Sequence, residues 1–459
     1  MRPAPLIRRL IWLYFFLWVF EGALRFWVLP GLSNPLLIVR DPVVIAIYMI
    51  ALSAGLMPMN GFTAGCFLLS IAAFALAVMI GHGNVVVALY GVRAAFLHLP
   101  LIFVIQRFWR QKDMERLGKV LLWMAVPMAF LAVYQFKSPA ESWINQGGMR
   151  AHYSTVRPAG TFSFVSGMVA FASLVTAFLA NSFTSWRQFG VVRSTAAAGA
   201  ALAMVAVSNS RTMTFSVGII FVMMIGLILF RGTKAVSVLM LLGVVGLATS
   251  TISTTEFFDE GTASLKRRFV DASGGKGVLD GAVDRVFGNF AAGIAVTEVA
   301  EWFGHGVGYG TNAGAQMLTG RRVFLSGETE WTRVVLELGP VLGWIFLIMR
   351  LAVGGLMLRA GFKAMKQDNL LPMLLFGAGA MPVVMGQWGI PTNQGFATLI
   401  AGFCLAGARL GGGPRKQRSA VVVETANRGL TLPAHAEAAL SVTGGLVGLS
   451  PSTIQAKEG

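Results

Sequence analysis

Apolar runs of about 20 residues recur along this chain, and about 20 helical residues are what a ~30 Å hydrocarbon core requires. They cover residues 10–29, 43–59, 62–80, 85–105, 120–136, 160–180, 189–207, 212–230, 235–253, 334–358, 370–385 and 392–408. In lipid the backbone must satisfy itself within a helix or a closed barrel. The polar–apolar alternation of a barrel is absent, so the expectation is an all-α integral membrane protein of about twelve transmembrane helices. Only 12% of residues are charged, against roughly 25% in a soluble domain. The first run is long, keeps Glu21 and Arg25 inside it and lacks a small-residue cleavage site. It reads as a retained helix and not as a removed leader.

The net charge of +17 would suit nucleic acid, but its distribution follows a membrane instead. Lys and Arg collect in cytoplasmic connections. With Arg2, Arg8 and Arg9 inside, the inside connections carry Arg107, Arg110, Lys112, Arg116 and Lys119, then Arg187 with Arg193, and Arg231 with Lys234. Arg359, Lys363 and Lys366 follow, and then Arg409, Arg415, Lys416 and Arg418. The outside turns 81–84 and 387–391 carry no charge, and Arg40 is offset by Asp41. Both termini are therefore expected in the cytoplasm, with the basic excess facing membrane lipids. Cys66 and Cys404 fall in or beside apolar runs, so neither a disulfide framework nor a zinc site is implied.

Two outside segments are longer than a turn. One is 137–157; the other, 254–332, holds half of the acidic residues. The larger has helix-compatible stretches at 263–270 and 283–299, with breaks at SGGKG and GHGVGYG. A loop of this length in a compact protein is usually functional. Residues 1–410 form the expected transmembrane domain, and 411–459 read as a disordered cytoplasmic tail.

Arginine on the outside opposes the topological bias. Such residues are Arg157 in VRPAGTF, Arg211 in SNSRT, Arg268 in LKRRF and Arg285 in VDRVFGN, with Arg25 and Arg93 in the outer halves of the first and fourth helices. An ionisable group inside a bilayer is a functional hypothesis by default, and the guanidinium fork suits phosphate oxygens. The plainer readings are an Arg25–Glu21 pair one turn apart and headgroup contacts for Arg268. In 327–343, GETEWTRVVLELGPVLG, Glu330, Arg333 and Glu337 share one helical face and read as an ion-paired helix start. Glu328 lies off that stripe and is a candidate general base. His82, His152 and His305 fall outside and read as solvated. GHGVGYG lacks the Lys-Ser/Thr of a P-loop and reads as a turn. No Asp-x-Asp is present to hold a metal-bound nucleotide sugar.

The order of RPAGTF, SNSR before a long apolar helix, an outer loop with DRVFGN about twenty residues before GHGVG, and ELG-x-x-x-G resembles the O-antigen ligase/polymerase family of membrane glycosyltransferases, over residues 157–343. GVRAAFLHLP and YQFKSP look like the exopolysaccharide-polymerase branch. The resemblance implies a GT-C-type helical fold with a large periplasmic loop in the bacterial inner membrane. It also implies a transfer that needs no metal or cofactor, from a glycan on polyprenyl diphosphate to another lipid-linked repeat (polymerase) or to lipid A core (ligase). Arg157, Arg211 and Arg285 look like the family arginines that bind the donor diphosphate. The ligase motif has His eleven residues before the glycine aligned with Gly339; here that place is Glu328, which tilts the reading toward polymerase. On this basis Glu328, Arg211 and Arg285 are the expected catalytic residues, and Arg157, Arg93, Arg268 and Arg25 the expected substrate-binding ones. The implied partners are the polyprenyl-diphosphate-linked oligosaccharide and a chain-length regulator or export machinery. The rival classes are a lipid-linked-oligosaccharide flippase or other transporter, and a scaffold that docks through the tail.

Overall fold

Each of the apolar runs except 235–253 falls largely on helix in the computed structural model, with 85–105 split between two short helices, and the structure describes residues 3–150, 156–184, 186–231, 243, 246, 255–273, 278–321, 325–327 and 329–410. Run 235–253, but for 243 and 246, and the tail 411–459 lie outside the described residues. The helices are α1 Pro3–Ala23, α2 Asp41–Ser53, α3 Gly61–Met79, α4 Val85–Val92, α5 Leu101–Phe108, α6 Gln111–Lys137, α7 Val165–Thr184, α8 Trp186–Phe189, α9 Val191–Val207 and α10 Arg211–Arg231. Then follow α11 Glu256–Ser273, α12 Val278–Thr297, α13 Asn312–Thr319, α14 Glu330–Met365, α15 Leu371–Met385 and α16 Pro391–Leu410. Two short strands, β1 Met149–Arg150 and β2 Val156–Arg157, pair antiparallel between α6 and α7.

Among the described residues, seven helical segments are long and apolar enough to cross a membrane: Pro3–Val28, Pro35–Ser53, Gly61–Met79, Val85–Phe108, Gln111–Lys137, Val165–Thr184 and Glu330–Met365. The chain is thus an all-α membrane protein. The helix-compatible stretches of the large loop became α11 and α12. α7 is apolar all round, is buried almost throughout, and touches α6, α9, α10, α15 and α16, as a helix at a bundle centre must be. Its buried hydroxyls turn back on their own helix, Ser173 Oγ to Val169 O at 2.9 Å and Thr176 Oγ1 to Ala172 O at 2.7 Å.

α14 departs from the straight span expected over 334–358. Gly339 has φ 75° and ψ 170°, which breaks the helix, and Pro340 follows. Only glycine adopts such a φ without strain, and proline offers no N–H to continue the ladder. The two arms, 330–338 and 340–365, fold back on one another. A Cβ placed on Gly343 would sit 3.1 Å from the Val335 Cα, and Arg350 Nη1 bonds Glu330 Oε1 at 2.7 Å. In a straight helix those two residues would stand about 30 Å apart. The short arm therefore runs back along the long one. A Cβ on Gly339 would also collide with the Trp302 carbonyl. Gly339→Ala is expected to lose about 1–3 kcal/mol from backbone strain alone, and more from that collision. Thermal unfolding in detergent checks this, with Gly355→Ala as control, because nothing lies within 4 Å of a Cβ there.

Candidate functional site

The reversal of α14 gathers four charged side chains into one buried group. Glu330 Oε1 accepts from Arg333 Nη2 (2.9 Å), Arg350 Nη1 (2.7 Å) and the Trp388 amide (3.1 Å), while Glu330 Oε2 accepts from Arg333 Nε (3.0 Å). Arg333 Nη1 donates to Glu337 Oε2 at 2.8 Å. The ion-paired face read from the i, i+3, i+7 spacing is therefore present. Arg350 adds two bonds that local spacing does not foretell, Nε to Val383 O (2.9 Å) and Nη2 to Gly386 O (2.7 Å). Its guanidinium also stacks 4.4 Å from the Trp388 ring. Arg350, Glu330 and Glu337 are almost wholly buried, and two carboxylates offset two guanidiniums.

The glycine-rich run is the turn expected, and it does cradle an anion, but that anion belongs to the chain. Gly304, Gly306 and Gly308 all have positive φ. This aims the Gly308 and Gly310 amides at the Glu337 carboxylate, at 3.2 and 2.8 Å. The loop also fastens the first outside turn: the His82 amide donates to His305 O at 3.1 Å, and His82 Nε2 lies 3.2 Å from Val307 O. Two of the expected loop histidines are thus brought together; His152 lies outside the described residues.

Against this group lies a pocket of about 80 Å³ lined by residues 310–312, Gly327, Thr329, Glu330, Arg333, Gln387, Gly389 and Ile390. Glu328 lies outside the described residues, but both of its chain neighbours line the pocket. Thr329, not Glu328, caps α14, accepting from the Thr332 amide. Arg333 is the cation in the wall, engaged on both sides by carboxylates, so the pocket presents balanced charge and suits a neutral hydroxyl-bearing ligand better than a second anion.

A second buried network lies among α1, the start of α2 and the segment between α4 and α5. Asp41 takes Arg93 through Nη2 (3.0 Å) and Nε, and takes His98 Nε2 at 3.0 Å; His98 Nδ1 accepts from the Tyr14 hydroxyl at 2.6 Å. Glu21 pairs with Arg40 at 3.3 Å and accepts from the Thr392 hydroxyl. The Glu21–Arg25 pair is therefore not the one formed: Glu21 reaches across to the chain before α2, and Arg25 Nε donates to Ser33 O at 2.7 Å. Arg93, expected to contact substrate, is held by Asp41. The connection between α15 and α16 ties the two networks together. Arg350 and Glu330 hold it at 386 and 388; Arg40 reaches Pro391 O, and Gln394 Nε2 donates to Ala94 O at 2.6 Å.

The remaining arginines are spread over four elements, β2, α10, α11 and α12. Arg157 ends β2, beside α6, and its Nη1 lies 3.7 Å from Met149 Sδ. Ser210 Oγ accepts from the Met213 amide at 3.3 Å, which puts Arg211 in the first turn of α10. A cation at that end opposes the helix dipole, so Arg211 is not there to stabilise its helix. α11 packs on α6 and α9: Lys137 of α6 pairs with Glu256 and Glu260, and Gly261 packs on Ala206 of α9. Arg268 lies on α11 and Arg285 on α12; their side chains lie outside the described residues. Sequence reasoning missed Arg350, Asp41 and His98 as members of buried networks. His98 and Arg350 are ionisable residues in apolar runs, the signal that should have found them; Asp41 stands just before one and was read only as offsetting Arg40. Set against protein families, characterised proteins and solved structures, this chain matches none.

Proposed function

We propose that this chain is a polysaccharide polymerase with a GT-C-type arrangement of about twelve spans and both termini cytoplasmic. It transfers polyprenyl-diphosphate-linked repeats onto another lipid-linked repeat at the outer face of the bacterial inner membrane. The observation that carries this reading is the charge-balanced pocket whose wall includes both neighbours of Glu328. It suits an acceptor hydroxyl. In the transfer, that oxygen attacks the anomeric carbon, the bond from that carbon to the diphosphate oxygen breaks, diphosphate leaves as its anion, and Glu328 takes the hydroxyl proton. The leaving charge is met by fixed guanidiniums, for which Arg211 and Arg285 are proposed, with Arg157, Arg25, Arg93 and Arg268 nearer the lipid-linked donor. The position of Arg211 against its helix dipole supports this assignment.

The test is reconstitution with lipid-linked repeat units. Growth in glycan length without energy input is expected, and Arg211→Ala or Arg285→Ala should slow it by roughly 10²–10³-fold. Normal polymerisation by either variant at wild-type abundance would sink the arginine assignment. A transporter reading draws on the buried Asp41–His98–Tyr14 chain; translocation of the repeat without lengthening would favour it. Transfer to lipid A core instead would mark a ligase.

A further inference from the structure

The long arm of α14 supplies a ruler. Its last turns carry Arg359 and Lys363, and Arg359 marks one edge of the hydrocarbon, since a charged side chain stays near the boundary. Twenty residues at about 1.5 Å each span a ~30 Å core, which sets the opposite edge at Gly339. The carbonyl of Trp302 and the amide of Gly304 pack on Gly339. Trp344 stands about 7 Å further in along the arm. Its indole, leaning back toward the helix start as long side chains do, donates to Thr297 Oγ1 at 3.1 Å. Two separate contacts therefore bring the end of α12 and the turn after it to the lipid boundary.

What this segment shows to its surroundings is apolar. Val299 is 79% exposed and Trp302 75%, with Ile294 and Phe303 also exposed. The surface adjoins exposed Val341, Ile345 and Ile348 of α14, which share one helical face. An apolar surface of this kind marks an interaction site, and Trp is enriched where one side is lipid and the other water. Two carboxylates limit the depth. Glu298 is exposed, and Glu301 pairs with His305 at 3.5 Å; both belong at headgroup level and not in hydrocarbon.

We propose that residues 294–303 form a wedge bedded in the headgroup–acyl boundary of the leaflet opposite the basic loops. The large segment between α10 and α14 is then anchored on the bilayer and does not stand free in water. The chain passes straight from this wedge into the glycine loop that holds Glu337, so lipid sets the height of the pocket wall. The inference needs only the membrane fold and is independent of the polymerase reading.

Site-directed spin labelling in proteoliposomes tests it. Labels at Val299→Cys and Trp302→Cys are compared with Ile348→Cys as a lipid-facing control and Arg321→Cys as a loop control, Cys66 and Cys404 being buried. The expected result is collision with oxygen over a water-soluble nickel chelate in a ratio closer to that of position 348. A ratio closer to that of position 321 overturns the wedge. Should the cysteine variants not fold, Trp302→Phe serves: it should remove part of the fluorescence that brominated lipids quench, and an unchanged quenched fraction overturns the proposal.

Discussion

Arg350→Ala is expected to destabilise the protein by about 3–5 kcal/mol, the range for removing one partner of a buried ion pair. Arg350 is fully buried, and its three bonds end on three different pieces of chain: Glu330 of the short arm, Val383 of α15 and Gly386 of the connection to α16. Alanine leaves two carbonyls without a donor and Glu330 with one cation in place of two. Arg350→Lys should recover only part of the loss, since an ammonium on a flexible stem cannot reproduce the planar fork. The double change Glu330→Gln with Arg350→Met should cost less than the sum of its parts, because it removes buried charge on both sides. Thermal unfolding of the purified protein in detergent reads all three. A Tm for Arg350→Ala equal to wild type would show that the folded-back arm is held by something other than this network.

Glu328→Gln is expected to slow glycan lengthening by roughly 10²–10⁴-fold, the contribution of a positioned general base, with abundance and unfolding temperature unchanged. The separation between activity and stability is the informative part. The helix cap belongs to Thr329 and the ion pairs to Glu330 and Glu337, so an isosteric amide at 328 leaves those bonds in place. Glu330→Gln two residues away should instead lose stability and activity together. Chain length measured on reconstituted lipid-linked repeats decides it: wild-type lengthening by Glu328→Gln removes the base from the proposal.

The residues legible from sequence were those whose partners lie within a helical turn or two. Glu330, Arg333 and Glu337 sit on one face because helical periodicity puts them there, and the pairs formed as read. The helical stretches of the large loop were legible for the same reason. The GHGVGYG turn was recognised, but its anion was not, since Glu337 lies 29 residues from Gly308. Glu21 had a partner one turn away in Arg25, and helix packing gave it Arg40 instead.

By itself the sequence determined the solvent and the helices, because runs of apolar residues without charge leave the backbone no other way to satisfy itself in lipid. The Gly339–Pro340 break falls inside a run read as one straight span, 334–358, and belongs to the tertiary structure. The direction in which the chain turned at that break was decided only in the tertiary structure, where Arg350 draws Glu330 back along the same helix. The Asp41–His98–Tyr14 chain, the pairing of Glu21 with Arg40 and the clamp on the α15–α16 connection were decided there too. A buried charge must find an opposite charge or donors wherever packing offers them, and which helices meet is a property of the whole bundle.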